Sequence, residues 1–427
     1  VAVNDENKLV AKAGSGDCPC KQFTLEVVSS GAERVAELAQ RADHVIVCTG
    51  NQPLINAREE YDRPDIRLPK AQTALLNAAA AANESTLLYL VTGYPFAINK
   101  EKDTAKAVLC STHLGPCLGH VAAATVFGEN NPAGRTPTTW YRSVRDLPAL
   151  DDYDIAKNHV TYLYFRGKPL YAFGYGLSYT TFAYSNLSVD KDGVTFTIKN
   201  TGDVEGTEIA QLYVGKQSET IFRPVRELKG FARVTLAPGE EKSVHIAFDD
   251  KTFRFYDTRT DTWEVESGNY QIMVGTDADT MVLVGSLDVV GTVAEGGYSK
   301  EILLEYFSGK IENVDDIEYR ELYGREIPDG SWSGEIQMND AVCQLYYGKG
   351  ILGKLLCAIL KLLLKISDWK GKPNLNVLFN YNMPIRGYAK MTGGIVTMKM
   401  AEALTEMANG HRIKGTAHLI KAAINRG

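Results

Sequence analysis

The sequence lacks the features of a disulfide-stabilised or zinc-binding protein. Its seven cysteines are odd in number and scattered, at positions 18, 20, 48, 110, 117, 343 and 357. Such a set does not form a disulfide framework, so we expect a reducing compartment and a cytoplasmic location. Cys48 and Cys110 lie inside apolar runs, where cysteine behaves as a small hydrophobic residue. No histidine pair completes a zinc site with Cys18 and Cys20, and we expect no metal and no cofactor.

An excess of basic charge and a membrane-spanning run are also missing. The 46 lysines and arginines are outnumbered by 52 aspartates and glutamates, which gives a net charge of −6. This balance argues against a nucleic-acid partner, which needs clustered basic residues. The most apolar stretch, residues 351–366, is too short and too charged to cross a bilayer, and we expect no membrane partner. The chain opens at Val1 in mid-pattern and without a signal or transit peptide, so we expect a fragment whose N-terminal portion is missing.

What the sequence contains is an ordinary globular composition over 427 residues, with 44% hydrophobic and 23% charged residues. This length predicts about two to four domains. Residues 1–28 read as two or three short strands, too few to be stable alone. The pattern changes near residues 29, 183 and 293, and we take these points as domain boundaries.

Residues 29–182 alternate between helical and strand patterns. Helices are predicted at 32–42, 71–82 and 119–127, and strands at 45–48, 86–91 and 107–110. Strands that alternate with helices at this spacing form a parallel sheet with right-handed crossovers. The sequence therefore predicts an α/β sandwich domain.

Residues 183–292 follow a two-residue period instead. Strands are predicted at 194–198, 209–214, 244–248 and 270–274, with turn signals between them. Short strands at regular spacing indicate a β-sandwich of the immunoglobulin or fibronectin type III class. Nothing in this segment looks catalytic.

Residues 293–427 form a mainly helical extension, with helices predicted at 302–307, 351–366 and 398–407. The middle helix carries Lys354, Lys361 and Lys365 on one side. A basic amphipathic helix can lie on a membrane surface. We favour the alternative that it packs under its own domain with its lysines outward.

The candidate site is the charged stretch from Arg58 to Arg63, which follows the apolar run 45–50. Ligands of open α/β sheets collect at the carboxyl ends of strands, where this stretch is expected to lie. Neighbouring carboxylates raise the pKa of a glutamate, while flanking arginines lower it. Glu59 is therefore a candidate proton donor. The alternative is a solvated, salt-bridged surface loop.

A series of ordered motifs carries a resemblance to a known family. In chain order they are Gly50-Asn51, residues 55–63, Leu68-Pro69 with Gln72, Gly93-Tyr94-Pro95, residues 131–137, residues 173–182, Asn200-Thr201-Gly202, Gly206, residues 211–214 and residues 227–231. Together they resemble the C-terminal half of glycoside hydrolase family 3, over about residues 29–290. Residues 1–28 resemble the end of a β-rich insertion found in some bacterial members, and residues 293–427 resemble their extensions.

The resemblance implies a retaining, exo-acting β-glycosidase that removes terminal β-D-glucosyl or β-D-xylosyl residues from an oligosaccharide or an aryl β-glycoside. One carboxylate attacks the anomeric carbon, and a second carboxyl group protonates the leaving oxygen. In the family the nucleophile lies on a TIM barrel that precedes this region, and the acid/base lies on a loop of the α/β domain. The glutamate three residues before Asp62-Arg63 is Glu59, with Glu60 as the alternative. Arg58, Asp62 and Arg63 then line the substrate rim or brace the loop through charge-assisted hydrogen bonds.

Two departures from the family pattern stand out. Gly115-Pro116-Cys117 replaces a Gly-Gln-Glu segment, which alters the rim of the site. The barrel is absent, and with it the nucleophile. Ser367-Asp368-Trp369 looks like the nucleophile motif, but a barrel needs about 200 residues of alternating strands and helices, and these surroundings do not supply them. We therefore expect the chain to contribute the acid/base to a barrel in cis and to be inactive alone.

Three other functions compete with this interpretation. A carbohydrate-binding module without catalysis would be favoured by exposed aromatic side chains near Glu59. A flavodoxin-like nucleotide domain is disfavoured, because the loop lacks a glycine-rich cradle and carries carboxylates that repel phosphate. A serine or cysteine hydrolase lacks its Gly-x-Ser-x-Gly elbow, and His113 and His120 beside Cys117 are expected to cap or flank the helix at Gly119.

Overall fold

The computed structural model describes residues 2–3, 9–10, 31–51, 63, 65–149, 152–218, 221–293, 297–308, 314–327, 334–370 and 374–424. At the N-terminus two short strands, β1 (Ala2–Val3) and β2 (Leu9–Val10), pair antiparallel. The remaining elements form an α/β unit, a β-sandwich and a set of helices.

The α/β unit is built on a three-stranded parallel sheet of order β3-β4-β5. The central strand is a nearly continuous apolar run, as expected for a strand covered on both faces, and its Leu88 and Leu90 are fully buried. Leu76 and Ala79 of α2 pack into the same core. The predicted parallel α/β fold is confirmed. Its elements are α1 (Gly31–Gln40), β3 (Val45–Gly50), α2 (Lys70–Ala82), β4 (Thr86–Val91), α3 (Glu101–Thr104), β5 (Ala107–Ser111), α4 (Leu118–Val126) and α5 (Thr161–Tyr164).

Two antiparallel sheets face each other in the next segment, with strand orders β10-β7-β6 and β14-β13-β8-β9. Alternate side chains from both sheets, among them Phe196, Leu212 and Ile272, form its buried core. Each side chain of this size contributes about 1.5–3 kcal/mol when it is fully buried. The predicted sandwich is confirmed. Its strands are β6 (Phe182–Val189), β7 (Gly193–Asn200), β8 (Gly206–Gly215), β9 (Glu227–Leu236), β10 (Glu241–Ala247), β13 (Gly268–Gly275) and β14 (Met281–Val289). Between β10 and β13, β11 (Arg254–Asp257) and β12 (Thr262–Val265) pair as a separate two-stranded sheet.

Residues 131–137 and 173–182 join the α/β unit to the sandwich. The Asn131 amide donates to the Glu205 carbonyl at 2.9 Å, and the Arg135 guanidinium pairs with Glu208 at 2.8 Å. The Gln211 amide donates to the carbonyl of Gly174 at 3.0 Å. These contacts make both segments an ordered junction between the two units.

The C-terminal helices divide into two groups. In the first, Tyr306 is buried and its hydroxyl donates to Asp154 at 3.0 Å, which joins α6 to the loop before α5. The second group has its own small core, which includes Ile336, Ile385 and Ala401. In the described part of this segment the helices are α6 (Leu304–Ser308), α7 (Asp316–Tyr323), α8 (Ile351–Trp369), α9 (Leu375–Asn382), α10 (Ile385–Met391), α11 (Met398–Ala408) and α12 (Arg412–Ile424).

The environment of α8 corrects one expectation. Its lysines point outward as predicted, but the favoured interpretation that its apolar side packs under the domain is wrong. Only Cys357 of this helix is buried, while Leu355, Leu362 and Trp369 are more than half exposed. No helix among the described residues is long and apolar enough to span a membrane.

Candidate active site

The candidate site lies at the carboxyl edge of the parallel sheet, where β3, β4 and β5 end side by side. This is the edge at which open α/β sheets bind ligands. Arg58, Glu59, Glu60 and Asp62 lie outside the described residues, so their predicted roles stay predictions. The residues that flank this segment, Asn51 and Arg63, are described.

The end of β3 is fixed to helix α2 through Gln72. The Gln72 amide donates to the Gly50 carbonyl at 3.0 Å and accepts from the Gly50 N–H at 3.2 Å. Gly50 has a φ of 141°, and a Cβ at this position would lie 1.9 Å from the Val91 carbonyl oxygen. Only glycine therefore allows β3 to pass this close to β4 at the point where the loop begins.

Asn51 connects the ends of all three strands. It is buried, and its N–H donates to the Val91 carbonyl at 3.1 Å. Its side-chain oxygen accepts from the N–H of Gly93 at 2.9 Å. His113, which follows β5, places its Nε2 at 3.4 Å from the same oxygen. The first residue before the predicted catalytic loop is thus held by hydrogen bonds rather than by packing alone.

Arg63 marks the point where the chain returns from this loop. Its guanidinium lies 5.3 Å from the ring centroid of Tyr94 and 5.0 Å from that of Phe96. Its Nη1 donates to the Pro95 carbonyl at 3.2 Å. Such cation–π contacts contribute about 0.5–2 kcal/mol. Arg63 therefore connects the far end of the loop to the turn that follows β4.

Among the described residues, no hydrogen bond joins Cys117 to His113 or to His120. The expectation that His113 or His120 caps the helix at Gly119 is wrong, because no side chain caps α4. His120 lies within α4, and His113 precedes the helix and contacts Asn51. The contact joins residues 62 positions apart, which no local pattern reveals. Cys117 is exposed in a 3-10 turn over Gly115–Cys117. Within the described ranges, no cluster of three His, Cys, Asp or Glu side chains could hold a metal ion.

Two family models match the chain in sequence order. Residues 4–179 match the glycosyl hydrolase family 3 C-terminal domain, and residues 208–278 match a fibronectin type III-like domain. Residues 4–179 therefore form a glycosyl hydrolase family 3 C-terminal domain. The first match begins at residue 4, within the segment 1–28 that was expected to belong to an insertion rather than to the α/β domain.

Several curated proteins and solved structures resemble this chain. A probable β-glucosidase of Emericella nidulans is 37% identical over 277 residues, which are 62% of this chain and 33% of the relative. An exo-α-(1→6)-L-arabinopyranosidase of Bifidobacterium longum is 34% identical over 64% of this chain and 37% of its own length. The solved structure of a Bifidobacterium adolescentis β-glucosidase aligns with a TM-score of 0.58 and 27% identity, over 71% of this chain and 46% of the other. The chain thus spans about a third of the length of the curated relatives it matches.

Proposed function

We propose that this chain supplies the general acid/base of a retaining, exo-acting β-glycosidase, with Glu59 in that role. The substrates would carry a terminal β-D-glucosyl or β-D-xylosyl residue. The observation that supports this most is the anchoring of Asn51 and Arg63 on either side of the Glu59 segment, at the sheet edge. The names of relatives such as the β-glucosidase of Emericella nidulans support β-glucosides as substrates.

The proposed reaction divides its work between two carboxyl groups. A carboxylate on a TIM barrel in cis attacks the anomeric carbon while Glu59 protonates the departing oxygen, which breaks the glycosidic bond. Glu59 then takes a proton from water as the water oxygen displaces the carboxylate, which releases the sugar with its configuration retained. Glu60 is the alternative donor, and Arg58, Asp62 and Arg63 would hold the loop or line its rim.

Asp368 is a poor candidate for the nucleophile. It lies in the last turn of α8, a helix of 19 residues, and its side chain is exposed. A family nucleophile is expected at the carboxyl end of a barrel strand, where the surrounding loops enclose the sugar. We therefore propose that the nucleophile comes from a barrel domain outside these 427 residues.

Turnover by the isolated chain tests this division of labour. The 427 residues should hydrolyse 4-nitrophenyl β-glucoside and β-xyloside at a negligible rate, because a proton donor alone leaves no covalent partner. The same chain joined to the segment its gene encodes upstream of Val1 should be active. Robust activity of the isolated chain that is abolished by Glu59→Gln but not by Asp368→Asn would contradict the proposal.

A second candidate function is sugar binding without cleavage. It is favoured by Tyr94, which is 47% exposed at the sheet edge and offers a ring on which a sugar could stack. Calorimetric titration of the isolated chain with glucose and xylose tests it, with Tyr94→Ala as the matched variant. Binding that Tyr94→Ala weakens would support this function, and the absence of heat at millimolar sugar would contradict it.

A further inference from the structure

One long face of α8 is apolar and open to solvent. At about 100° per residue, Leu352, Leu355, Ile359, Leu362, Ile366 and Trp369 fall on one arc of about 100°. Their exposed fractions range from 38% to 86%. We call these six side chains the α8 face. On the opposite side, Cys357 is buried and its Sγ donates to the Val342 carbonyl at 2.9 Å. The helix therefore packs on its unit through the side that carries Cys357. Its most apolar side is exposed to solvent.

Basic side chains adjoin this face. Lys354, Lys361 and Lys365 are exposed on one flank of the arc, and among the described residues none of the three takes part in an ion pair. The surrounding unit is also basic. Residues 334–427 contain 13 lysines and arginines against 5 aspartates and glutamates, in a chain whose net charge is −6. The unit that carries the α8 face is thus net positive, within a chain that is net negative.

Helix α12 repeats the arrangement. Ile413, Ile420 and Ile424 lie along one line of the helix and are 91%, 55% and 76% exposed. Lys414, which pairs with Glu406 at 3.4 Å, and Lys421 flank that line. The beginnings of α8 and α12 also border the same apolar cavity of about 890 Å³, which both Leu352 and Arg412 line. Two basic amphipathic helices therefore begin at the same region of the unit, beside this cavity.

We propose that this region docks on the surface of an anionic lipid bilayer, with α8 lying in the plane of the interface. A basic amphipathic helix binds there because its apolar side enters the acyl boundary while its lysines meet lipid phosphates. Trp369, at the end of the arc, is a residue type that favours this interface. The proposal revises the expectation that the chain has no membrane partner, and it does not depend on the proposed glycosidase activity.

A second copy of the chain is a less suitable occupant. A two-fold contact through the α8 face would bring two basic units together, and like charges across an interface oppose association. An anionic bilayer instead carries negative headgroups, which would meet the lysines once the apolar side has entered the acyl boundary. The charge pattern therefore favours a bilayer over self-association.

Vesicle flotation of the whole 427-residue chain tests the proposal. It should float with vesicles containing about one third phosphatidylglycerol and remain unbound with pure phosphatidylcholine, and 1 M salt should release much of it, since added salt screens the lysines. The triple change Lys354→Glu, Lys361→Glu and Lys365→Glu should weaken binding on the order of a hundredfold, because each lysine near such a surface contributes about fivefold. Leu355→Gln with Leu362→Gln should weaken it at least about tenfold.

The matched control is the triple change Lys106→Glu, Lys191→Glu and Lys199→Glu, which alters net charge equally at exposed positions of the other two units. It should leave vesicle binding within about twofold of the unchanged chain, because these lysines belong to the α/β unit and the sandwich rather than to the unit that carries the α8 face. Equal binding to neutral vesicles, or equal loss in both triple variants, would overturn the proposal. So would a dimer in light scattering that Leu355→Gln with Leu362→Gln dissociates while vesicles bind nothing.

Discussion

The side-chain oxygen of Asn51 accepts a hydrogen bond from the backbone N–H of Gly93 at 2.9 Å, across the carboxyl ends of β3 and β4. Asn51 is the last described residue before the segment that contains Glu59. Its backbone N–H also bonds to the Val91 carbonyl, so both its main chain and its side chain are committed to the neighbouring strand. The predicted catalytic loop therefore starts from a fixed point.

Asn51→Ala should destabilise the sheet edge by about 0.5–1.5 kcal/mol, because it removes the hydrogen bond that the Asn51 side chain accepts from the N–H of Gly93. Hydrogen exchange at Gly93 and Tyr94 measures this loss directly. Asn51→Asp is the matched control, since a carboxylate oxygen still accepts the bond. Equal exchange rates in the alanine variant and the unchanged chain would show that the bond contributes nothing.

The buried ion pair of Arg135 and Glu208 supports the junction between the α/β unit and the sandwich. Arg135→Met should cost about 3–5 kcal/mol, because it leaves the Glu208 carboxylate buried without its counter-charge. Hydrogen exchange of the β8 amides reports the change in stability on the sandwich side.

The double variant Arg135→Met with Glu208→Gln separates the ion pair from simple packing. With both charges removed, no uncompensated charge is buried, and at least half of the lost stability should return. A double variant as unstable as Arg135→Met alone would assign the loss to packing of the arginine stem.

Tyr164 predicts a dependence of stability on alkaline pH. Burial, followed by the nearby Glu227 charge, raises the pKa of Tyr164 to about 12. In the unfolded chain the phenol titrates near 10. Between these values the unfolded state loses a proton that the folded state keeps, so stability is full below about pH 10 and falls as the pH rises through about 12. Tyr164→Phe, which preserves the stack on Phe222, should remove about 2 kcal/mol of the loss between pH 8.5 and 11.5. An equal loss of stability over this pH range in the unchanged chain and in Tyr164→Phe would show that Tyr164 is not the group responsible.

Local patterns were sufficient for the elements that carry strong periodicity. The apolar run at 86–91 is β4, and the helix predicted at 71–82 is α2 with one residue added at its start. Strand β9 was not predicted as a strand, because Lys229, Gly230 and Arg233 interrupt its alternation and most of its residues are only half buried. The helices α9 and α10 are short and were missed, since their positions depend on packing within the C-terminal unit.

The candidate site was predictable from the sequence only in part. The edge of the sheet could be placed, because the carboxyl ends of parallel strands lie together. The contact of His113 with Asn51 could not, since it depends on the pairing of strands distant in sequence. The pattern at residues 351–366 predicts the amphipathic helix α8. Whether another element covers its apolar side depends on tertiary packing, which the local pattern does not reveal.

The most direct test of the account is the dependence of Glu59 variants on the leaving group, measured in this chain joined to the proposed barrel domain. Glu59→Ala should slow hydrolysis of a β-glucoside with a poor leaving group by about 10²–10⁴-fold, because that oxygen needs a proton to depart. A dinitrophenyl β-glucoside, whose leaving group needs no proton, should still form the glycosyl-enzyme, and added azide should trap it as the β-glycosyl azide. Glu60→Ala serves as the matched control and should retain activity on both substrates. Unchanged hydrolysis of the poor substrate by Glu59→Ala would contradict the account.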